Sequence, residues 1–410
     1  MGAVSVKDVR STTAPSLWHL VRTASYIGAI GYGGPAILAL MKQTYVRDKR
    51  WISEQEFMNA LSLAQILPGA TGVTVTGYLG FKLKKIWGGL LAALGFVTPA
   101  ATLMTILAWA YFRFGQLPFV KSLFAGLGAL VVALLVNAVI VLGRSVFPTL
   151  GLQGWKGLTI ASAGFAAVYF GHINVVWVIL GAGLLGFGVY YFAKSEPPSG
   201  ARAKADARGA VLVRPRLSVH DLVPAGILAL ALAAALVVPS TRALVASFLG
   251  IGTTAFGGGF GSIPLIQGLV VDAHGWLTVK EFLDGIALGQ ITPGPVFITA
   301  TFIGYRVAGV AGALLATLAI FTPSLVAIMV LADLHGRVQN LRSVRSVISG
   351  LQAGFIGLIL SVAVNFAVKS LTDWQEWLIF VAAIGWVMLL KKGAIWAILA
   401  TIVFSFIAIR

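Results

Sequence analysis

The chain contains no cysteine, which excludes disulfides, thiolate chemistry and iron–sulfur ligation. It is also poor in charge: 10% of its 410 residues are charged, and only 13 are acidic against 30 basic. The five histidines, at 19, 172, 220, 274 and 335, show no ligand spacing, so no metal site is expected. There is no Ser/His/Asp arrangement and no Walker loop, and the chain is expected to be neither an enzyme nor ATP-driven, with no cofactor. Gly181-Ala-Gly-Leu-Leu-Gly186 fits G-x-G-x-x-G, but it lies inside an apolar run with no strand before it and no acidic residue downstream; it reads as a helix-packing motif. The first sixteen residues lack the apolar core of a cleavable signal peptide, so the first apolar segment is expected to direct insertion itself.

What is abundant is apolar sequence, 58% of the chain, far more than a soluble protein of this length can bury. A membrane helix needs about 20 mostly apolar residues. Uncharged runs of that order recur at 86–112, 122–143, 222–241, 243–271, 307–332 and 346–368, and between 157 and 193 only His172 interrupts. These predict an all-α polytopic membrane protein. The formal charge of +17 sits in short segments beside the runs, as positive-inside orientation requires, so the expected partner is the lipid bilayer and not nucleic acid.

The chain repeats itself. Trp51-Ile-Ser-Glu-Gln-Glu-Phe57 returns as Trp276-Leu-Thr-Val-Lys-Glu-Phe282, and Gln65-Ile-Leu-Pro-Gly69 as Gln290-Ile-Thr-Pro-Gly294, both at an offset of 225. Tyr32-Gly-Gly34 matches Phe256-Gly-Gly258, and Phe96-Val-Thr-Pro99 matches Ile320-Phe-Thr-Pro323, at an offset of 224. The expected organisation is a first repeat at 16–193, a basic cytoplasmic linker at 194–220, an extra span at 221–240 and a second repeat at 241–410. One unpaired span reverses the orientation of the second half, so the repeats are expected to be inverted. Counting six crossings per half puts Lys82, Lys84 and Lys85 inside but Lys42, Arg47, Lys49 and Arg50 outside, against the positive-inside rule.

Each half opens with two interrupted apolar segments, expected to be broken or re-entrant helices. The breaks are Gly31-Tyr-Gly-Gly-Pro35 and Pro68-Gly69 in the first half, and Phe256-Gly-Gly-Gly-Phe-Gly261 and Pro293-Gly-Pro295 in the second. Broken helix is tolerated at membrane depth only where it is buried or lines a cavity, and a restarting helix offers free N–H groups to an anion. The candidate substrate residues are therefore Gly33, Gly34, Pro35, Gln65, Pro68, Gly69 and Thr71, and their counterparts Gly257, Gly258, Gly259, Gln290, Thr292, Pro293 and Gly294. Threonines can equally bond their own helix carbonyls, and glycines can simply admit close helix packing. Arg22, Glu56, Lys82, Glu281, Asp284 and Arg306 are candidates for coupling or anion steering; as helix-start carboxylates and interfacial anchors they have ordinary readings too.

The duplicated segments resemble the chromate ion transporter family of bacterial inner-membrane proteins, in its two-domain form. The resemblance rests on Phe256-Gly-Gly-Gly259, Glu281-Phe-Leu-Asp284, Leu288-Gly-Gln290, Thr292-Pro-Gly-Pro295 and Ile298-Thr-Ala-Thr-Phe-Ile-Gly-Tyr305, and on Tyr32-Gly-Gly-Pro35, Lys49-Arg-Trp51 and Leu67-Pro-Gly69. The first half departs from the family pattern at Tyr32, usually Phe, at Ile37 and Leu38, where a His is usual, and at Ala70, where a proline usually recurs. The resemblance implies chromate export across the inner membrane, with sulfate as analogue. The expectation is thus a secondary carrier for a tetrahedral oxyanion, with a homodimer as the assembly to test. The alternatives are a carrier or channel for another anion, or a membrane-embedded lipid enzyme.

Overall fold

The computed structural model describes residues 15–32, 34–147, 154–192, 219–256, 258–332, 342–389 and 394–409, and among them every long element is a helix. The first seven are α1 (Leu17–Ile30), α2 (Gly34–Met41, continued by a π-helix over Lys42–Asp48), α3 (Glu54–Ile66), α4 (Thr71–Phe114), α5 (Pro118–Val146), α6 (Gly154–Tyr169) and α7 (Val175–Gly186, continued by a π-helix over Phe187–Phe192). After α8 (Val219–Val237) come α9 (Pro239–Thr254), α10 (Gly258–Gln267, continued over Gly268–Ala273), α11 (Val279–Ile291), α12 (Thr299–Leu331), α13 (Arg342–Ser370), α14 (Trp374–Leu389) and α15 (Ala394–Ala408). The protein is an all-α polytopic membrane protein, with five described helices long and apolar enough to cross a bilayer. Trp18, Trp109, Trp155, Trp177, Trp374 and Trp396 are exposed, as residues facing lipid or its interface are. Most of the linker expected at 194–220 lies outside the described residues.

Equivalent positions adopt the same local geometry. The N–H groups of Trp51 and Trp276 donate to the carbonyls of Tyr45 and Val270, at 3.0 and 2.9 Å. Arg50 and Gly275 sit at φ +51° and +61°. Ser53 and Thr278 then cap α3 and α11 by accepting from the backbone of Glu56 and Glu281. Each of these helices has 13 residues, about 20 Å, too short for a hydrocarbon core of about 30 Å.

The helix after each short one explains its length. α4 folds back on itself at Lys84 (φ −142°, ψ 32°) and Lys85 (φ 51°, ψ −147°), and α12 does so at Ala308 (φ −145°, ψ 34°) and Gly309 (φ 58°, ψ −146°). The two limbs touch through glycine: a Cβ on Gly80 would lie 2.3 Å from the Gly88 carbonyl oxygen, and one on Gly304 2.2 Å from that of Gly312. The first limb runs back along the preceding short helix. Tyr78 near its end donates to Glu56 at the start of α3 (2.6 Å), and Phe302 packs on Gly285 of α11. Residues 54–83 and 279–307 are therefore helical hairpins, with tips at Pro68-Gly69 and Pro293-Gly294.

The hairpins enter the bundle from opposite ends. The second limb of α4 starts at the base of the first hairpin. It ends against the base of the second, where Tyr111 donates to Asp284 (2.7 Å) and Phe112 stacks on Phe302 (4.9 Å between centroids). α12 does the converse: it leaves the base of the second hairpin and brings Met329 to Gly89, beside the base of the first. This corrects the crossing count made from sequence. Lys42 pairs with Glu54, and Lys82 lies 3.9 Å from Glu56. Lys42, Arg47, Lys49 and Arg50 thus share one end with Lys82, Lys84 and Lys85, because a hairpin returns the chain to the side it came from. At that base the hydrogen bond and charge of Lys42 hold the exposed Glu54 carboxyl below the usual carboxylate range.

The remaining helices interlock. α5 packs on α14 and α15, and α13 packs on α6 and α7, where Gly350 meets Gly186 and Gly357 meets the Ala161 carbonyl. Pro99 in α4 cannot donate to the carbonyl four residues back, Gly95, and the Ser25 hydroxyl of α1 does so instead at 2.9 Å.

Candidate substrate site

The hairpin tips meet the helix breaks of the opposite half. Gly69 and Gly294 stand at φ +112° and +115°, a region that glycine occupies without strain. The Gly69 N–H donates to the carbonyl of Ala255, where α9 ends, and the Gly294 N–H donates to that of Gly31, where α1 ends, both at 2.9 Å. A Cβ on Gly69 would lie 2.6 Å from Cβ of Ser324, and one on Gly294 2.9 Å from Cβ of Ala100. Ser324 and Ala100 are the residues after Pro323 and Pro99. The Thr-Pro pairs, which in the sequence mark only the repeat, thus stand where each tip is received.

Around this crossing helices restart: α2 at Gly34, α4 at Thr71, α10 at Gly258 (φ +77°), and α12 through a short 3₁₀ turn at Val296–Ile298. Ile37 of α2 packs on Gly72, and Gly259 of α10 packs on Val296, so each restart after a break lies beside the restart after a tip. A first turn exposes N–H groups and a partial positive charge, so the arrangement presents cationic helix ends in an otherwise apolar interior. The N–H groups of Gly69 and Gly294 are themselves engaged by carbonyls; the first turns, not the tips, offer free donors. Pro68 is half-buried and Pro293 buried beside them. Gly33 and Gly257 lie outside the described residues, and Pro35 follows Gly34 in the first turn of α2.

The polar candidates divide sharply. Thr292 donates to the Leu288 carbonyl (2.8 Å), and Thr74, Thr76 and Thr299 likewise bond carbonyls three or four residues back. Thr71 is half-buried at the start of α4. Gln65 is exposed, whereas Gln290 is half-buried and its Nε2 is buried with no hydrogen-bond partner among the described residues. Such a donor is costly unless something accepts from it.

The charged candidates lie at the hairpin bases or along α1, away from the tips. Glu281 closes a capping box with Thr278, a structural role. Glu56 accepts from Tyr78 beside Lys82, Arg306 is exposed over the Phe112 ring (5.4 Å), and Arg22 is exposed on α1. Asp284 is 1% exposed; its Oδ2 accepts from Tyr111 and from Lys280 (3.1 Å), and its Oδ1 has no partner among the described residues. Tyr111 went unnoticed in the sequence, where only its place near the end of an apolar run could have drawn attention.

The chain is similar to known transporters. The chain is 30% identical to an uncharacterized transporter of Methanocaldococcus jannaschii, with 92% of this chain and 90% of that one covered. It is 30% identical to the chromate transport protein of Cupriavidus metallidurans, over 93% and 90% of the two chains. With the chromate transport protein of Pseudomonas aeruginosa it shares 32% identity, over 83% and 78%. No solved structure matches it. The chromate transporter family pattern matches residues 18–187 and 242–406, and the chain belongs to that family.

Proposed function

We propose that the protein is a secondary carrier for a tetrahedral divalent oxyanion, exporting chromate with sulfate as its analogue, built from two inverted repeats. The observation that carries the reading is the reciprocal seating of the tips, Gly69 on Ala255 and Gly294 on Gly31. Two hairpins that enter from opposite ends and meet at helix restarts give a site that either hairpin can close. Withdrawal of one hairpin opens the site to one side while the other stays seated, which is what alternating access requires. The anion is held by first-turn N–H groups of α2, α4 and α10 and by the Gln290 amide, with Gln65 at the more exposed edge. Lys82 and Arg306, near the bases, and Arg22 on α1 draw anions toward it.

Inversion is supported by the charge of the two bases. The base at 42–54 and 82–85 carries seven basic residues, from Lys42 to Lys85, against the two acidic residues Asp48 and Glu54, while that at 272–281 and Arg306 has two of each, Lys280 and Arg306 against Asp272 and Glu281. The first base is accordingly cytoplasmic and the second external. With α8 crossing outward, the linker and Arg144 also fall inside.

The test is uptake of labelled sulfate and chromate into proteoliposomes, with and without an imposed pH gradient. Saturable uptake in which each anion competes with the other is expected. Uptake of neither anion, with the protein correctly inserted, would overturn the reading.

A further inference from the structure

We propose that Asp284 is the proton-binding site that couples transport to a pH gradient, acting through its contact with Tyr111; this rests on the carrier reading above. A carboxylate 1% exposed, at a hairpin that dips into the bilayer, is retained at a cost unless it is paired or takes up a proton. Its pairing here is incomplete. Both donors converge on Oδ2, and Oδ1 is buried with no partner among the described residues. One of those donors is itself compromised: the Lys280 side chain is 65% exposed, so much of its charge is screened by solvent.

The titratable groups that face Asp284 are Tyr111 from α4 and Lys280 and Glu281 from α11 itself. Among the other helices packed on α11, α5 meets it with Gly128 against Leu283, α12 with Phe302 against Gly285 and the Thr299 hydroxyl against Gly289, and α13 with Phe366 against Phe282, none of them a titratable group. A proton arriving on the carboxylate therefore has no competing acceptor among those contacts. Glu281 is occupied at its cap, and in the first hairpin Asn59 stands at the equivalent position, so this site has no twin.

The position gives the proton its leverage. Tyr111 belongs to the second limb of α4, which starts at the opposite hairpin, and its bond to Asp284 ties the base of the second hairpin to the other half. In the ionised state that bond and the Lys280 contact are charge-assisted; when the carboxylate takes up H⁺ both lose that assistance and the tie weakens. Proton occupancy thus sets how firmly the second hairpin is held against α4, and through the hairpin how readily its tip leaves Gly31.

Two measurements on reconstituted protein test this. In the first, Asp284→Asn should retain exchange of labelled sulfate against internal sulfate at equal pH but lose the accumulation that a pH gradient drives in the wild type. In the second, infrared difference spectra between acidic and alkaline buffer, with no substrate present, should show a buried carboxyl band in the wild type that Asp284→Asn lacks. Tyr111→Phe should move the pH at which that band disappears. If the variant keeps gradient-driven accumulation, or its infrared spectrum equals that of the wild type, Asp284 is not the coupling site. If the wild type shows the band yet exchanges neither sulfate nor chromate, the proton site stands and the oxyanion reading falls.

Discussion

In the second hairpin Asp284 is buried and bound to Tyr111, while its counterpart in the first, Asn59, is half-buried and accepts from Gln55 (3.1 Å). Gln290 holds a buried amide nitrogen with no partner among the described residues, where Gln65 is exposed. Gly309 makes the fold-back of α12 where Lys85 makes that of α4. The backbones nevertheless agree closely, with tip φ values of +112° and +115° and the same tip hydrogen bond at 2.9 Å. The shared part is what a broken helix in a membrane must satisfy. The unshared part is free to specialise. In the proposed carrier the second hairpin carries the proton and most of the anion's side-chain contact, and the first carries the basic charge of the cytoplasmic face.

The sharpest way to break this comparison is to ask whether the two bases face opposite compartments. Single cysteines at Asp48 and Asp272, both exposed, should react with an impermeant thiol reagent from opposite sides of the membrane: Asp48→Cys from the cytoplasm, Asp272→Cys from outside. The native chain has no cysteine, so the background is clean. Labelling of both from one side would rule out the inverted arrangement and with it the gating by opposite hairpins.

Much of this was legible before folding, and what was not has a common cause. Glycine and proline act locally, so Pro68-Gly69 and Pro293-Gly-Pro295 announced their breaks. Repetition also survives in sequence, because both halves solve the same packing problem. What sequence reading missed are contacts between halves. The Tyr111–Asp284 bond spans 173 residues, and nothing in either neighbourhood encodes the other. The seating of Gly69 near Ser324 and of Gly294 near Ala100 is equally remote in sequence. The crossing count failed at Lys42 to Arg50 for a related reason: hydropathy records that a segment is apolar, not whether it turns back at its midpoint.

The glutamines sharpen the comparison on a scale of affinity. Among the described residues the Nε2 of Gln290 is buried without a partner, a burden of about 1–3 kcal/mol that a bound oxyanion would relieve in the proposed carrier. Gln290→Leu should then raise the apparent KM for sulfate or chromate by about tenfold to a hundredfold, the loss of a charged hydrogen bond of roughly 1.5–3 kcal/mol. It should leave the thermal stability of the empty protein unchanged or higher, because the unpaired donor is gone. Gln65→Leu, at an exposed position, should change KM by less. Equal effects in the two variants would mean that the anion sits symmetrically between the halves. A Gln290→Leu protein that loses stability and keeps its KM would make that amide structural.

The smallest effect lies at the fold-backs, where one conformation is met by two residue types. Lys85 and Gly309 share φ near +55° with ψ near −147°, a region that suits glycine and strains residues with a Cβ. Nothing would lie within 4 Å of a Cβ on Gly309, so the penalty there is one of backbone conformation and not of packing. Lys85→Gly should therefore stabilise the first fold-back by about 1 kcal/mol, the strain of roughly 1–3 kcal/mol less the entropy that glycine adds to the unfolded chain. Gly309→Lys should destabilise the second by a similar amount. Thermal unfolding in detergent, followed by the fraction remaining monodisperse, would register both as shifts of opposite sign. If Lys85→Gly is destabilising instead, the lysine's own contacts outweigh the strain, and the first fold-back is held by its side chain rather than merely tolerating it.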